Sequence, residues 1–326
     1  MNERHSSSKL GLTGERAVLV ASTGGHLAEL FRLRQQIDIA SDPLWITFDH
    51  PQSRSLLASE RVLFVPYVAP RDVLATYRAR KIIQERLSVE KYDVMLSTGA
   101  AVAVAALPLA ASARKQSIYI ESASRLTGPS VTGRILSMLR GVDLYTQVDA
   151  WAGGRWSFGG SVFDDFEAVP IASPSALRIF VMLGTIKPYR FDALVDALIR
   201  AAPASSEFQW QLGSTGRTDL PGESTDLMSD VEMKAAMRWS NLVVSHAGVG
   251  SALMALEGGR FPVLVPRRKA RAEHVDDHQT EIAQQLSGRG LALYAEVDDI
   301  VPSNLTEAAS VSTQPATGAP RLGDTQ

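Results

Sequence analysis

The sequence predicts an α/β protein of two domains, each built on a parallel sheet with helices on both faces. Two observations carry that expectation. A β-rich apolar run, a glycine turn and then apolar residues at helical spacing recur four times, twice in each half of the chain. Continuous apolar strands of this kind are buried on both sides, as parallel sheets require. The length of 326 residues independently suggests about two domains.

The first copy of the pattern is AVLVASTGGHLAELFRL after Arg16, and the second is VMLSTGAAVAVAALPLA from Val94. RIFVMLGTIKPYRFDALVDALI and NLVVSHAGVGSALMALEGG are the third and fourth. Further strands are expected at 44–48, 62–65, 117–120, 144–147, 209–213 and 262–266. The resulting division is a polar extension at 1–16, a first Rossmann-like domain at 17–148, and a linker at 149–176. A second Rossmann-like domain follows at 177–301, and the weakly apolar residues 302–326 read as a disordered tail. The linker is rich in Gly and Pro, and Trp151, Trp156 and Phe158 are expected to pack at the junction.

Residues 94–113 are uncharged over the nominal length of a spanning helix. Gly99 and Pro108 interrupt them, and their alanines are weakly apolar, so a buried strand, a turn and a buried helix fit better. The polar start lacks the apolar run of a signal peptide. A soluble protein is expected.

Zero cysteines exclude a disulfide framework, a thiolate metal site and a cysteine nucleophile. A net charge of −2 argues against a nucleic-acid binder. That total conceals a partition, since residues 1–150 carry 18 basic and 14 acidic side chains, a balance of +4, and the remainder carry −6. The basic excess is densest from Arg71 to Lys91 and includes Arg78, Arg80, Lys81 and Arg86. Such a stretch is either a solvated helix face or a surface for anionic lipid or phosphate.

In open parallel sheets ligands bind at the carboxyl ends of the strands, where all four glycine turns are expected. Glycine lets the backbone approach closely, and the next helix offers free N–H groups and a positive dipole end. Two turns per domain favour two facing anion sites across a cleft. No turn matches a P-loop, and neither half holds a full G-x-G-x-x-G, so ATP hydrolysis and nicotinamide chemistry lose weight. A G-x-S-x-G nucleophile elbow is also lacking. The segment Glu273-His274-Val275-Asp276-Asp277-His278-Gln279 is dense in polar groups. It admits a metal site through His274 and His278, a helix cap through Asp276 or Asp277, or recognition of sugar hydroxyls. The last fits the mixed donors and acceptors best, and no third metal ligand set is apparent.

The stretch from Ser245 to Gly290, SHAGVGSALMALEGGRFPVLVPRRKARAEHVDDHQTEIAQQLSGRG, resembles the C-terminal domain of glycosyltransferase family 28. It is similar to the catalytic subunit of the two-subunit N-acetylglucosaminyltransferase of dolichol-linked oligosaccharide assembly, and to bacterial exopolysaccharide and capsule transferases. ASTGGHLAEL, STGAAVAVAALPLA and YIESASRLTGPSVTGRILSMLRGVDLYTQ resemble the anchor subunit of the same pair, so the chain looks like a fusion of the two. The resemblance implies a GT-B fold and an inverting hexosyltransferase that uses a UDP-sugar and needs no cofactor or metal. It places the donor on Gly184, Thr185, His246, Ala247, Gly248, Gly250, Ser251, Glu257, Asp277, His278 and Gln279. It places a polyprenyl-diphosphate-linked saccharide acceptor on Thr23, Gly24, Gly25, Thr98, Gly99, Ser122 and Arg125. His26 and Glu121 become the candidate catalytic residues.

Three departures from the family pattern stand out. Met254 replaces a glutamate that grips the ribose, with Glu257 one turn on as a substitute; Ile186 replaces a histidine, and Lys187 is gained. The anchor subunit's transmembrane helix has no counterpart. Membrane contact would then be peripheral, on the cytoplasmic inner face, through residues 71–91 and 132–144. The expected role is extension of a lipid-linked saccharide in surface or exopolysaccharide assembly. A UDP-sugar epimerase on the same scaffold and an inactive UDP-sugar-binding subunit are the alternatives.

Overall fold

The computed structural model describes Leu10 and residues 12–69, 72–274 and 278–317, with the side chain of His278 outside that set. Two compact units divide between Asp164 and Asp165.

The first unit runs through β1 (Ala17–Ala21), α1 (Gly25–Leu33), β2 (Leu44–Phe48), α2 (Pro51–Leu56), β3 (Arg61–Val65) and α3 (Val73–Leu87). It continues with β4 (Val94–Gly99), α4 (Ala101–Ser112), β5 (Gln116–Ile120), α5 (Val131–Ser137), β6 (Asp143–Thr146) and β7 (Trp156–Phe158). The seven strands are ordered β3-β2-β1-β4-β5-β6-β7, and every pairing is parallel. AVLVA of β1 and VMLSTG of β4 are buried throughout, because helices cover both faces. Val18, Val20, Ile46 and Met95 pack under Val102, Ala106 and Leu107 of α4. The uncharged run at 94–113 is therefore a strand, a glycine turn with Gly99 at φ +135°, and a helix. Among the described residues no helix is long and apolar enough to cross a membrane.

The second unit opens with β8 (Phe166–Pro170), β9 (Arg178–Met182), α6 (Asp192–Ala201), β10 (Glu207–Gln211), β11 (Glu223–Thr225) and α7 (Asp230–Trp239). Then come β12 (Leu242–Ser245), α8 (Val249–Glu257), β13 (Val263–Leu264), α9 (His278–Gly288), β14 (Leu293–Tyr294), α10 (Pro302–Ala308) and β15 (Val311–Pro315). Its main sheet is parallel, in the order β11-β10-β9-β12-β13-β14. Alternate residues of β9 feed two cores, Ile179 and Val181 with Trp210 and Val244, and Phe180 and Met182 with Met237 and Val243. A period of two sends neighbouring side chains to opposite faces.

The boundaries differ from the expected ones in two places. Residues 149–176 are not one linker. β7 extends the first sheet, and Trp156 packs edge-on against Trp151 and Tyr119 within the first unit, with centroids 5.2 and 6.0 Å apart. β8 belongs to the second unit, where it pairs antiparallel with β15. Residues 302–317, expected within a disordered tail, form α10 and β15. The few apolar side chains there are enough, because Leu305 and Ala308 are fully buried and the Thr313 hydroxyl donates to the Leu256 carbonyl at 2.9 Å. Leu305→Ala should therefore cost about 2–5 kcal/mol of unfolding free energy in urea titrations, the range for an emptied leucine site. A cost near zero would return this segment to the status of a tail.

Candidate active site

Both main sheets reverse their strand order at one point, β1/β4 in the first unit and β9/β12 in the second. The four glycine turns follow these four strands, so each pair flanks a switch point, the usual ligand position in such sheets.

The helices behind the turns share a second property. α1, α4, α6 and α8 have no side-chain cap, whereas α2, α3, α5 and α7 are capped by His50, Asp72, Ser130 and Ser229. An uncapped first turn leaves its N–H groups for an anion. α6 is the exception in substance. It starts eight residues after Gly184, with Asp192 in its first turn, where a carboxylate already faces the dipole. Three of the four predicted anion turns thus keep an open helix start.

In the first unit, Gly24 has φ +89° and its N–H donates to Gln52 Oε1 at 2.9 Å. The Thr98 hydroxyl donates to the His26 carbonyl at 2.8 Å, which ties the two turns together. The His26 ring lies on Gly99, where a Cβ would stand only 2.8 Å from Cε1. Glycine is needed there for both space and φ. Ala100 at φ +63° completes the turn, a conformation that costs a non-glycine residue roughly 1 kcal/mol or more. His26 Nδ1 is buried without a partner. Burial, helped by the charge of Arg125, lowers the ring's pKa to about 4, against a raising effect of the Thr98 backbone.

Glu121 is buried and fully engaged. Oε1 accepts from the Tyr119 hydroxyl at 3.0 Å and from Ser122 N–H at 3.1 Å, and Oε2 accepts from Ser130 N–H at 2.8 Å. Those bonds suit a brace for the loop that carries Ser122 and Arg125 better than a base. The sequence reading missed Glu29, on α1, whose Oε1 accepts from Ala123 N–H at 2.7 Å and from Gln147 Nε2. Its Oε2 is buried without a partner, and burial pushes its pKa up to about 7. The signal lay in HLAELF, an acid set between the two buried leucines of an amphipathic helix.

In the second unit, the His246 ring Nδ1 and backbone N–H both approach the Met182 carbonyl, at 3.2 and 3.3 Å. The carbonyl can only accept, so Nδ1 carries the proton. Burial, with the nearby charge of Arg267, lowers the ring's pKa to about 3. Gly248 accommodates Nε2, which would stand 2.6 Å from a Cβ, and the buried Ala247 takes φ +56°. Gly250 and Ser251 lie in the open first turn of α8. Thr185, Ile186 and Lys187 are exposed, and Glu257 is exposed on the last turn of α8. Met254 packs beside Met182 and Met237, which accounts for an apolar residue at that position. Gln279 is nearly buried, and its Oε1 accepts from Arg267 N–H at 3.0 Å and Nε at 3.4 Å. Asp277 and the His278 side chain lie outside the described residues, as does Arg71.

Ring-proton NMR should find His26 turning cationic only near pH 4 and His246 near pH 3, against 6.5 for an ordinary histidine. Between those values the unfolded chain binds protons that the folded chain refuses, so these rings destabilise the fold as pH drops below 6.5. A midpoint near 6.5 for His26 would contradict its packing on Gly99.

Residues 206–322 match the Glycosyltransferase family 28 C-terminal domain. Over 246 residues the chain is 26% identical to the UDP-N-acetylglucosamine--N-acetylmuramyl-(pentapeptide) pyrophosphoryl-undecaprenol N-acetylglucosamine transferase of Shewanella loihica. That match covers 71% of this chain and 64% of the relative, so it spans less than two thirds of the relative's length. A stretch of 70 residues is 39% identical to the UDP-N-acetylglucosamine transferase subunit ALG13 of Yarrowia lipolytica, covering 21% of this chain and 34% of that one. The crystal structure of Acinetobacter baumannii MurG superposes with a TM-score of 0.55 at 17% identity, covering 90% of this chain and 89% of that one. The chain has the GT-B fold of such glycosyltransferases, and the stretch that is similar to the family 28 C-terminal domain falls almost entirely in its second unit.

Proposed function

We propose that this glycosyltransferase moves a sugar, with inversion, from a UDP-sugar to a polyprenyl-diphosphate-linked saccharide during assembly of a cell-surface glycan. UDP-N-acetylglucosamine is the first donor to try, as the substrate in the names of both relatives. The observation that carries the reading is the open start of α8 inside the family 28 domain, at the β9/β12 switch point. Its N–H groups and dipole would hold the donor's diphosphate and stabilise UDP as it departs. The acceptor's diphosphate would lie at the open starts of α1 and α4.

The acceptor hydroxyl oxygen attacks the anomeric carbon, the bond from that carbon to the phosphate oxygen breaks, and UDP leaves with the electron pair. His26 is neutral at pH 7 and its ring is half-buried as a whole, so a ring nitrogen on the accessible side can take the hydroxyl proton. A bound diphosphate nearby would raise its pKa from about 4 toward neutrality and make it a stronger base. Glu121 and Glu29 act as braces that hold the loop at 121–130.

Membrane contact would come from one helical layer. α4 packs against both α3 and α5. α3 leaves Val73, Leu74 and Tyr77 exposed beside Arg78 and Lys81, and α5 and its end leave Val131, Ile135 and Met138 exposed beside Arg134 and Arg140. Apolar side chains among cations are what a peripheral contact on the anionic inner leaflet requires.

Incubation with UDP-N-acetylglucosamine and polyprenyl-diphosphate saccharides in detergent should release UDP and lengthen the lipid-linked glycan. His26→Ala should lower kcat/KM by about 10²–10⁴-fold, the usual worth of a general base. Conversion of the UDP-sugar without an acceptor would instead identify an epimerase, and UDP binding with no turnover a binding subunit. In flotation assays the protein should rise with vesicles rich in anionic phospholipid. The double variant Leu74→Glu, Met138→Glu should stay in the dense fraction, and equal flotation of both proteins would remove this surface from the proposal.

A further inference from the structure

Two adjacent arginines follow β13, and their surroundings differ. Arg268 is fully used, with Nε on Glu296 Oε2 at 3.1 Å, Nη1 on the Thr280 hydroxyl at 2.6 Å and Nη2 on the Tyr294 hydroxyl at 3.3 Å. Arg267 is more buried, at 1% exposure, yet no carboxylate within the described residues forms an ion pair with it. Its Nε reaches Gln279 Oε1 at 3.4 Å, and its Nη1 is buried with no hydrogen-bond partner among the described residues. Glu273, the nearby carboxylate, spends Oε2 on the backbone N–H of Arg268 at 2.9 Å.

The topology places this free charge. Arg267 leaves the sheet behind β13, but its guanidinium rests on Gly184 behind β9, where a Cβ would stand 2.4 Å from Nη1 and 2.5 Å from Cζ. β12 lies between those two strands. The side chain therefore crosses the carboxyl end of β12, where His246 turns the chain into the uncapped start of α8. His246 feels the charge, which helps keep its ring neutral. Burial lowers the pKa of Arg267 itself to about 10, still cationic at pH 7. Glu273 attracts this charge from a distance, but a buried cation with no direct ion pair among the described residues is costly to maintain, and a fold retains one where an anion will arrive.

We infer that Arg267 binds the diphosphate of the donor, supplying beside the α8 N-terminus the fixed positive charge that lets the site prefer a nucleoside diphosphate over a monophosphate. This rests on the donor site proposed above, and it adds a residue that neither the glycine turns nor the sugar-reading segment contains. A guanidinium offers phosphate oxygens a planar fork of N–H donors that lysine does not have. Gln279 then acts as a positioning residue that fixes the arm through Nε, and Gly184 leaves the room in which the guanidinium sits.

Calorimetry on the full chain with UDP, UMP and inorganic pyrophosphate tests this, using the wild type, Arg267→Gln, Arg267→Lys and Gly184→Ala. The wild type should bind UDP at least about tenfold more tightly than UMP. Arg267→Gln should weaken UDP about 10–100-fold, the worth of a charged hydrogen bond, and leave UMP within about threefold, so that the preference disappears. Arg267→Lys, which keeps the charge and most of the stem, decides the matter if Arg267→Gln does not fold, and about a fivefold loss for UDP is expected. Gly184→Ala should reproduce part of the loss with the arginine intact, by displacing it. UDP affinity within threefold of wild type in a folded Arg267 variant overturns the inference and leaves the donor site standing. Pyrophosphate binding that depends on Arg267, without UDP binding, overturns the nucleotide-sugar reading and retains the arginine as a diphosphate receptor. If the wild type binds neither, both fall.

Discussion

Everything at the candidate site follows from the direction in which parallel strands run. Each strand must end at the same edge as its neighbours, and each following helix must begin there. Where strand order reverses, at β1/β4 and again at β9/β12, two successive helix starts diverge to opposite faces and leave a gap between them. The protein spends no side chain on closing the helices at these points, although it caps α2, α3, α5 and α7. Polar main-chain groups left open at a protein surface find water or an anion, and a ligand can compete for them only because no serine or aspartate has claimed them first.

The two units place different buried ionisable groups behind their open turns. Beneath the first lie the carboxylates of Glu29 and Glu121, held among backbone N–H groups, the Tyr119 hydroxyl and the Gln147 amide. Under the second lies the guanidinium of Arg267. The carboxylates are nearly satisfied and act on loop geometry. The guanidinium is under-satisfied and acts on whatever binds. Burial alone does not distinguish these roles; the bonds that are made do, since both carboxylates hold backbone N–H groups of their loop and the guanidinium holds none.

Much of this was legible in the sequence. The repeated apolar run and glycine turn located β1, β4, β9 and β12 and the helices behind all four, because full burial on two faces leaves a pattern that polar substitution would destroy. The short strands β11, β14 and β15 were not legible, since two to five residues with mostly exposed or half-exposed side chains have no periodicity of their own and exist through their partners. GTIKPYRF looked like the other turns, but its helix begins late and acidic. Arg267 escaped for a different reason. A cation beside another cation reads as surface, and only the fold shows that it points inward across two strands toward Gly184.

The pairing of β8 with β15 joins residues 166–170 to residues 311–315. During synthesis β8 leaves the ribosome long before its partner exists. Every element of the second sheet is made in that interval, and the strand that covers β8 is made last. The first unit has no such obligation, because its strands β1 to β7 all precede Asp165. The order of translation therefore separates the two units in time. The first can settle while the chain is still growing, whereas the second must wait with an unpaired strand exposed until nearly all of it has emerged.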